Sequence, residues 1–516
     1  MNLLKTLAAI SSMTMLSRVT GLLRESLIAR AFGAGAYTDA FNVAFRIPNL
    51  LRRLFAEGAF SQAFVPILSE YKNQHGALAS KQLADHVATT LVWATLIVSL
   101  AGIVGAPWFV YLIASGLAKN PNAFDAGVWM TRLMFPYICC MSFVALSGGI
   151  LNTWRQFKIP AVTPVLLNLS FIGASLFLAR HLAQPIYALA IAVFVGGLLQ
   201  VAIQVPALMK IGMLPRIAFN PITGLADPGV RRVLKKMGPA IFAVSAAQIS
   251  LMINTSIASH LAAGSISALS YADRLMEFPT AMLGVALGTI LLPGLSKANI
   301  DGDTVEYSAL LDWGLRLTFL LALPAAVGLA ALAVPLITTL FHYGQFTAQA
   351  VTMSSQPLMA YSVGLIGIIL VKTLAPAFYA RQDIRTPVKI AVGVLIVTQL
   401  MNVVFVPQIA VAGLALSIGL GACLNAGFLY WGLRRRGVYQ PQPGWGKFYL
   451  KLAVALCMMG AIAVIGAARI DWLGLQAHPF LRGGALMLII SLCAMIYFGT
   501  LYAMGFRFRD FKRTSN

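Results

Sequence analysis

Apolar runs about twenty residues long recur from one end of the chain to the other, separated by short polar connectors. That is the length an α-helix needs to cross the hydrocarbon core of a bilayer, about 20 residues. The pattern predicts fourteen spans: 7–31, 36–58, 84–113, 128–152, 161–180, 186–209, 237–262, 267–294, 312–340, 350–377, 387–407, 410–433, 448–468 and 481–505. The second is the most interrupted, because Asp39, Arg46, Arg52 and Arg53 punctuate its apolar residues. No connector is long enough for a sizeable soluble domain. The expected fold is an all-α polytopic membrane protein of about 14 transmembrane helices.

Composition agrees. Of 516 residues 59% are hydrophobic and 10% charged, with a mean hydropathy of +0.81, outside the soluble range. The net charge of +22 is explained once the cations are assigned to connectors. With a cytoplasmic N-terminus, the connectors around Lys72–Lys81, Arg155–Lys158, Lys210–Lys236, Lys297, Arg381–Lys389, Arg434–Lys451 and Arg507–Arg513 all face inside. Only Lys119, Arg132, Arg180, Arg469 and Arg482 lie at or near outer ends, as the positive-inside rule expects. Both termini are therefore predicted cytoplasmic. The same scatter of cations excludes a nucleic-acid-binding surface. Cys139, Cys140, Cys423, Cys457 and Cys493 lie within spans and show no metal-ligand or pairing pattern. The N-terminal apolar run lacks a small-residue cleavage site and continues into Arg18 and Arg24, so it reads as a retained first span.

An internal repeat organises the spans. "FVPILSEY" at 64–71 echoes "LLPGLSKA" at 291–298, a shift of 227 residues, and "WRQFKIPAV" at 154–162 echoes "ARQDIRTPV" at 380–388 at shifts of 226 to 227. Two separated matches at one shift point to a duplication. Six spans per copy give the copies the same orientation in the membrane. That predicts two six-helix lobes related by pseudo-two-fold symmetry about the membrane normal, a transporter architecture with its substrate site between the lobes. The expected domains are an N-terminal lobe at 1–211, a cytoplasmic linker at 212–235, a C-terminal lobe at 236–436, and two additional helices with a basic tail at 437–516. Duplicated bundles also serve as scaffolds or channels.

The charges inside the spans carry the chemistry. A charge at mid-bilayer costs about 2.5–3.5 kcal/mol on insertion scales, so it faces a protein interior or a wet cavity. The first span, "LSRVTGLLRESLIAR", holds Arg18, Arg24, Arg30 and Glu25. At 100° per residue a straight helix cannot aim all three arginines one way, which predicts a bend near Gly21, with Arg18 and Arg24 facing the cavity and Arg30 anchoring the helix end. In the second span Asp39, Asn42, Arg46, Asn49 and Arg53 recur at steps of three and four as one polar stripe, with Arg52 at its edge. The second copy supplies Ser267, Asp273, Arg274 and Glu277.

Arginine stays charged at ordinary pH and presents a fork of donors matched to phosphate oxygens. Several converging arginines predict an anion with more than one charge, such as a pyrophosphate, with Glu25 and Asp39 holding them in place. Substrate binding is expected from Arg18, Arg24, Asp39, Arg52, Ser267 and Arg274, with Glu25, Arg46, Asn49, Glu57 and Asp273 as further cavity residues. No catalytic residue, metal site or cofactor is expected: paired carboxylates for Mg²⁺ are lacking, there is no Gly-rich phosphate loop, and His260 and His342 stand alone near outer ends.

The stretches "SRVTGLLRESLIARAFGAG", "TDAFNVAFRIPNLLRRLFAEGAFSQAFVPILSEY", "YADRLMEFP", "GVALGTILLPGLSK" and "ARQDIRTPVKIA" closely resemble the MurJ (MviN) family of lipid II flippases, and the resemblance runs along essentially the whole chain. It implies a member of the multidrug/oligosaccharidyl-lipid/polysaccharide exporter superfamily in the bacterial cytoplasmic (inner) membrane. The implied partner is lipid II, undecaprenyl-pyrophosphate-MurNAc-pentapeptide-GlcNAc, moved from the cytoplasmic to the periplasmic leaflet. Membrane lipids and other cell-wall synthesis proteins are further implied contacts. Matched to the family's motifs, Arg18, Arg24, Arg52 and Arg274 are cavity arginines, and Asp39 and Ser267 further cavity positions. Some relatives bind sodium with acidic ligands on helices 7 and 11. Here those spans offer Gln248, Asn254, Gln399 and Asn402 and no carboxylate, so the membrane potential is an alternative driver. Rival readings are export of another lipid-linked oligosaccharide, a cation-coupled drug antiporter, which would favour an acidic cavity, and a polyprenyl-phosphate-modifying enzyme.

Overall fold

The computed structural model describes residues 3–52 and 59–507, which are helical nearly throughout. In order come α1 (Leu3–Phe32), α2 (Ala36–Arg52), α3 (Ala59–Gln74), α4 (Gly76–Val104), α5 (Ala106–Ile113), α6 (Pro121–Met134), α7 (Tyr137–Thr153), α8 (Lys158–Gly173), α9 (Tyr187–Lys210), α10 (Pro221–Ala226) and α11 (Pro228–Ser259). They are followed by α12 (Ser265–Ile300), α13 (Thr304–Ala331), α14 (Ala333–Phe341), α15 (Ala348–Tyr379), α16 (Arg385–Arg435), α17 (Trp445–Arg469) and α18 (Pro479–Ala503).

Among the described residues nine helical stretches are long and apolar enough to cross a membrane. One of them, α16, holds two predicted spans joined at a kink where Ala410 takes φ 48° and ψ −124°, so the nine account for ten of the fourteen predicted. The other four correspond to α1, α2, α11 and α12, which carry Arg18, Arg24, Asp39, Arg46 and Arg274. All-helical, polytopic architecture follows from one constraint: in lipid, every backbone N–H and C=O must be satisfied within the segment.

Two compact units are present, Met1–Ser267 with Gly344–Phe346, and Ala268–Tyr343 with Thr347–Asn516. In the first, the stretch between the predicted second and third spans is itself helical. α3 buries Phe60, Phe64, Ile67 and Leu68 against Leu146, Ile150 and Leu151 of α7, and its Glu70 accepts two bonds from Arg232 of α11 at 2.7 and 2.8 Å. The Arg232 hydrogen bond holds the Glu70 carboxyl below its ordinary range. α11 starts where Asp227 caps the N–H groups of Gly229 and Val230, with Pro228 in the first turn.

The second unit repeats this core. Leu291 and Leu295 pack with Leu374, Ala377 and Phe378, each 227 residues beyond a position in the first unit's cluster or its neighbour Ser147. The helix ends repeat as well. Arg155 and Gln382, 227 apart, both take φ 59°, and the amides that follow them reach back to Leu151 and Phe378 at 2.8 and 3.0 Å. Gly212 and Gly437 take φ 69° and 67°, with the same back-bond from Met213 to Leu208 and from Val438 to Leu433. These are left-handed C-caps, and they set the register of the repeat at Arg155 to Gln382, one residue from the Arg155 to Arg381 match read in sequence.

α15 and α16 meet backbone to backbone. A Cβ on Gly364 would lie 2.0 Å from the Gly419 Cα, and one on Gly367 2.4 Å from the Cys423 nitrogen, the small-residue packing that membrane helices use when hydrophobicity cannot drive association. Gly367→Ala is expected to cost about 1–3 kcal/mol through overpacking. Thermal unfolding in detergent measures it, and an unchanged midpoint would contradict so close a contact.

α16 is started by Asp383, whose Oδ1 accepts from the Thr386 amide at 3.0 Å and whose Oδ2 accepts from Thr386 Oγ1 at 2.6 Å and Arg436 Nη1 at 2.7 Å. The Arg436 bond above all, then Thr386, depresses its pKa from 3.8 to about 2. A depressed carboxylate stabilises the fold above its unfolded pKa and loses that contribution as pH falls through the folded value, here between about pH 4 and 2. The pair is partly exposed, so about 1 kcal/mol is expected. Asp383→Asn should remove that acid-dependent increment and leave the rest of the stability–pH curve in place.

Candidate functional site

α1 runs as one helix from Leu3 to Phe32, with no break in its helical course at Gly21. Gly21 faces Asn168 of α8, at ordinary contact distance for a Cβ. The helix sorts its arginines by neighbour instead. Arg24 is mostly buried, with 14% of its side chain exposed, and pairs with Glu25 through Nη2. Its Nη1 donates to Asn168 Oδ1 at 3.0 Å, and its guanidinium sits 5.1 Å from the Phe171 ring centroid. Asn168 is fixed in turn, donating through Nδ2 to the Ser17 carbonyl and Thr20 Oγ1, both at 3.1 Å. The Nε–H of Arg24 is buried with no partner among the described residues. An unmet donor on a cation is costly in a finished fold, and is what an anionic ligand would satisfy.

Arg18 is half-buried and makes no ion pair among the described residues. Arg30 is exposed at the end of α1, where its carbonyl accepts from Gln345 at 2.9 Å. Arg46 and Asn49 are half-buried on α2. Arg52 closes that helix, but its side chain and all of Glu57 lie outside the described residues.

Asp39 and Ser267 are brought together directly. Asp39 is 4% exposed and accepts from the Gly264 amide at 2.7 Å, the Ser267 amide at 2.8 Å and Ser267 Oγ at 2.6 Å. Asn42 donates to the same hydroxyl at 3.2 Å. Asp39 thus caps the start of α12, a carboxylate at a positive helix end, and both its oxygens are occupied. Ser267→Ala is expected to cost about 1–2 kcal/mol, the loss of a charge-assisted hydrogen bond. A melting curve superimposable on wild type would deny the clasp.

In the second unit Arg274 pairs with Glu277 at 3.1 Å, the side chains 40% and 51% exposed, and Asp273 is half-buried beside them. Sequence reading missed Lys372, a cation within the tenth predicted span. Its Nζ reaches the Thr280 carbonyl of α12 at 3.5 Å, and its stem fills the space beside Gly284. An isolated charge in an otherwise apolar run was the available signal. It also missed Asn168, a neutral residue whose role appears only when α8 meets α1. His260 is exposed and donates through Nδ1 to the Ser256 carbonyl at 2.9 Å. His342 is buried, and burial, then Arg482, lowers its pKa. Arg482 is fully buried and donates to the Trp472 and His342 carbonyls at 3.3 and 3.2 Å.

What these elements define is a polytopic membrane transporter with arginines set into its helices. Among solved structures, an inward-facing multidrug resistance MATE transporter of the MOP superfamily has the same fold, with a TM-score of 0.67 at 16% identity, covering 84% of this chain and 98% of that one. One described as "Lipid II flippase MurJ, inward closed conformation" fits with a TM-score of 0.79 at 23% identity, over 96% of this chain and 99% of that one. The family model "Lipid II flippase MurJ" matches residues 28–479, and the chain belongs to that family. "Lipid II flippase MurJ" of Burkholderia cenocepacia is 59% identical over 513 residues, 99% of each chain. "Probable lipid II flippase MurJ" of Haemophilus influenzae is 40% identical over 96% of this chain and 98% of its own.

Proposed function

We propose that the protein is a lipid II flippase of the bacterial inner membrane, with both termini cytoplasmic, that carries the undecaprenyl-pyrophosphate-linked precursor from the cytoplasmic to the periplasmic leaflet by alternating access. The observation that carries this reading, beside the 59% identity to a flippase of that name, is Arg24. It is held by Glu25, Asn168 and Phe171, with a buried donor unspent among the described residues. Arg18, Arg46, Arg52 and Arg274 complete the set of cations for the pyrophosphate and sugar-peptide head. Asp39 and Ser267 serve it by fixing α2 to the start of α12.

An apolar cavity of about 580 Å³ in the second unit, walled by Leu315, Phe319, Leu370, Tyr430, Trp445 and Tyr449, suits part of the prenyl tail. Energy comes from the membrane potential, about 2.3 kcal/mol per charge per 100 mV, with no resident cofactor. Other cell-wall synthesis proteins are further contacts.

Depletion in cells, with an assay of which leaflet holds the lipid-linked precursor, tests the reading. Precursor should accumulate unchanged on the cytoplasmic side. Its normal arrival outside would sink the proposal, and chemically altered lipid would point to an enzyme.

A further inference from the structure

Arg316 of α13 is held almost out of solvent, with 23% of its side chain exposed. Its Nε donates to Asp312 Oδ2 at 2.7 Å and its Nη2 to the Pro443 carbonyl at 3.0 Å, while its guanidinium stacks 5.0 Å from the Trp445 centroid. Its Nη1 has no partner among the described residues and points at Gly444, 4.0 Å from where a Cβ would stand. That wall belongs to a cavity of about 330 Å³ into which Lys447 and Lys451 of α17 also open. The two lysines are one turn apart on one face, an arrangement of like charges that is unfavourable without an anion. Neither pairs with a carboxylate among the described residues. Asp312, the acidic group in the wall, spends its oxygens on Arg316, Tyr439, Trp445 and the Gln442 amide.

The end of α17 adds to the field. Gly444 provides no side-chain cap, so the N–H groups and positive dipole end of a 25-residue helix meet the cavity at that residue. Two lysines, a guanidinium edge and a helix N-terminus converge on one concavity. The positive-inside rule accounts for cations in a connector, but not for an arginine locked by a buried carboxylate with one edge left open.

Beside and beyond the lysines the same face of α17 turns apolar. Leu450 is 65% and Val454 40% exposed, and positions 447, 450, 451 and 454 form a stripe at helical spacing. Basic at one end and apolar along its length, that face matches a head group with a chain and not a free ion. The structure assigns a second anion site here, which binds the phosphate of an anionic phospholipid of the surrounding leaflet. The assignment does not depend on lipid II being the transported substrate.

The test uses the full-length protein in nanodiscs of phosphatidylcholine with a minor fraction of phosphatidylglycerol, and reads the lipids retained by native mass spectrometry. Wild type should retain phosphatidylglycerol about tenfold better than phosphatidylcholine, and Lys447→Gln/Lys451→Gln should reduce that preference to about twofold, each lysine near a membrane surface contributing several-fold. Lys447 is exposed and Lys451 half-buried, its Nζ 5.3 Å from the Phe506 centroid, and glutamine keeps a polar chain at both places, so the variant keeps its fold. Arg434→Gln/Arg435→Gln, which removes two cations of the same connector outside the cavity, should retain the tenfold preference. Equal loss in both double variants would make the attraction diffuse and overturn the site. So would an unchanged preference in the lysine variant. In a parallel arm inorganic phosphate is added at millimolar concentration without anionic lipid. Stabilisation of wild type but not of the lysine variant, with no lipid preference, would overturn the lipid assignment in favour of a free anion.

Discussion

Replacing Asp312 by alanine is expected to lower the melting temperature of the detergent-solubilised protein by about 3–5 °C, from a loss of about 3–5 kcal/mol. Asp312 is 1% exposed. Its Oδ1 accepts from Tyr439 Oη at 2.8 Å, Trp445 Nε1 at 2.8 Å and the Gln442 amide at 3.0 Å, and its Oδ2 holds Arg316. One carboxylate therefore ties α13 to the connector between α16 and α17. Alanine leaves a guanidinium without its counter-charge and three donors without an acceptor, and breaking a buried pair from one side is the costly way to lose it. Burial, and then the Asp312 carboxylate itself, push the Tyr439 hydroxyl far above its ordinary range, so it remains a donor at any working pH. Tyr439→Phe, which removes one hydrogen bond and keeps the ring, should cost only about 1 kcal/mol. If the two variants melted together, or Asp312→Ala melted with wild type, the carboxylate would not be the organising group.

Asp312 was not singled out from sequence, and the reason marks where sequence reading stops. Twenty apolar residues in lipid have one economical backbone solution, so the spans were readable. A duplication leaves its period in the chain, so the repeat was readable too, though its register at Arg155 differs by one residue, since the left-handed caps pair Arg155 with Gln382. Periodicity also found Asp39, Arg46 and Asn49 on one stripe. It says nothing of partners distant in the chain. Asp39 and Ser267 were both picked as cavity residues, yet they bind each other. Asp312 stands at the entrance of a predicted span, and Asn168 is a neutral residue within an apolar run, so neither carries a local signal. α3 was missed because its apolar face, including Phe60, Phe64 and Ile67, is too short to span and was hidden in a polar connector. Gly21 lies inside one helix, and Arg24 is sheltered there by a neighbour's amide and ring.

Arg24→Ala is expected to reduce lipid II transport in reconstituted vesicles by at least about thirtyfold, because truncating a buried charge-assisted contact costs about 2–5 kcal/mol. That range corresponds to factors of about 30 to several thousand. The loss has two possible origins that one substitution cannot separate. Arg24 would contact the pyrophosphate, and it also neutralises Glu25, whose side chain is only 16% exposed. Removing the arginine alone takes from that carboxylate its pairing with Arg24, which harms the fold and repels an anion. Arg24→Ala/Glu25→Ala removes both charges. If Arg24 engages substrate, the double variant should regain the melting temperature of wild type to within a few degrees while transport stays low. Arg24→Lys should fall between, keeping the charge but losing the planar fork. Asn168→Ala should lower transport about tenfold by releasing the guanidinium from its 3.0 Å hydrogen bond, with an effect that disappears when Arg24 is already alanine, since residues acting through one contact are not additive. Recovery of transport in the double variant would mean that Arg24 serves only to offset Glu25, and the anion-binding role would pass to the other arginines.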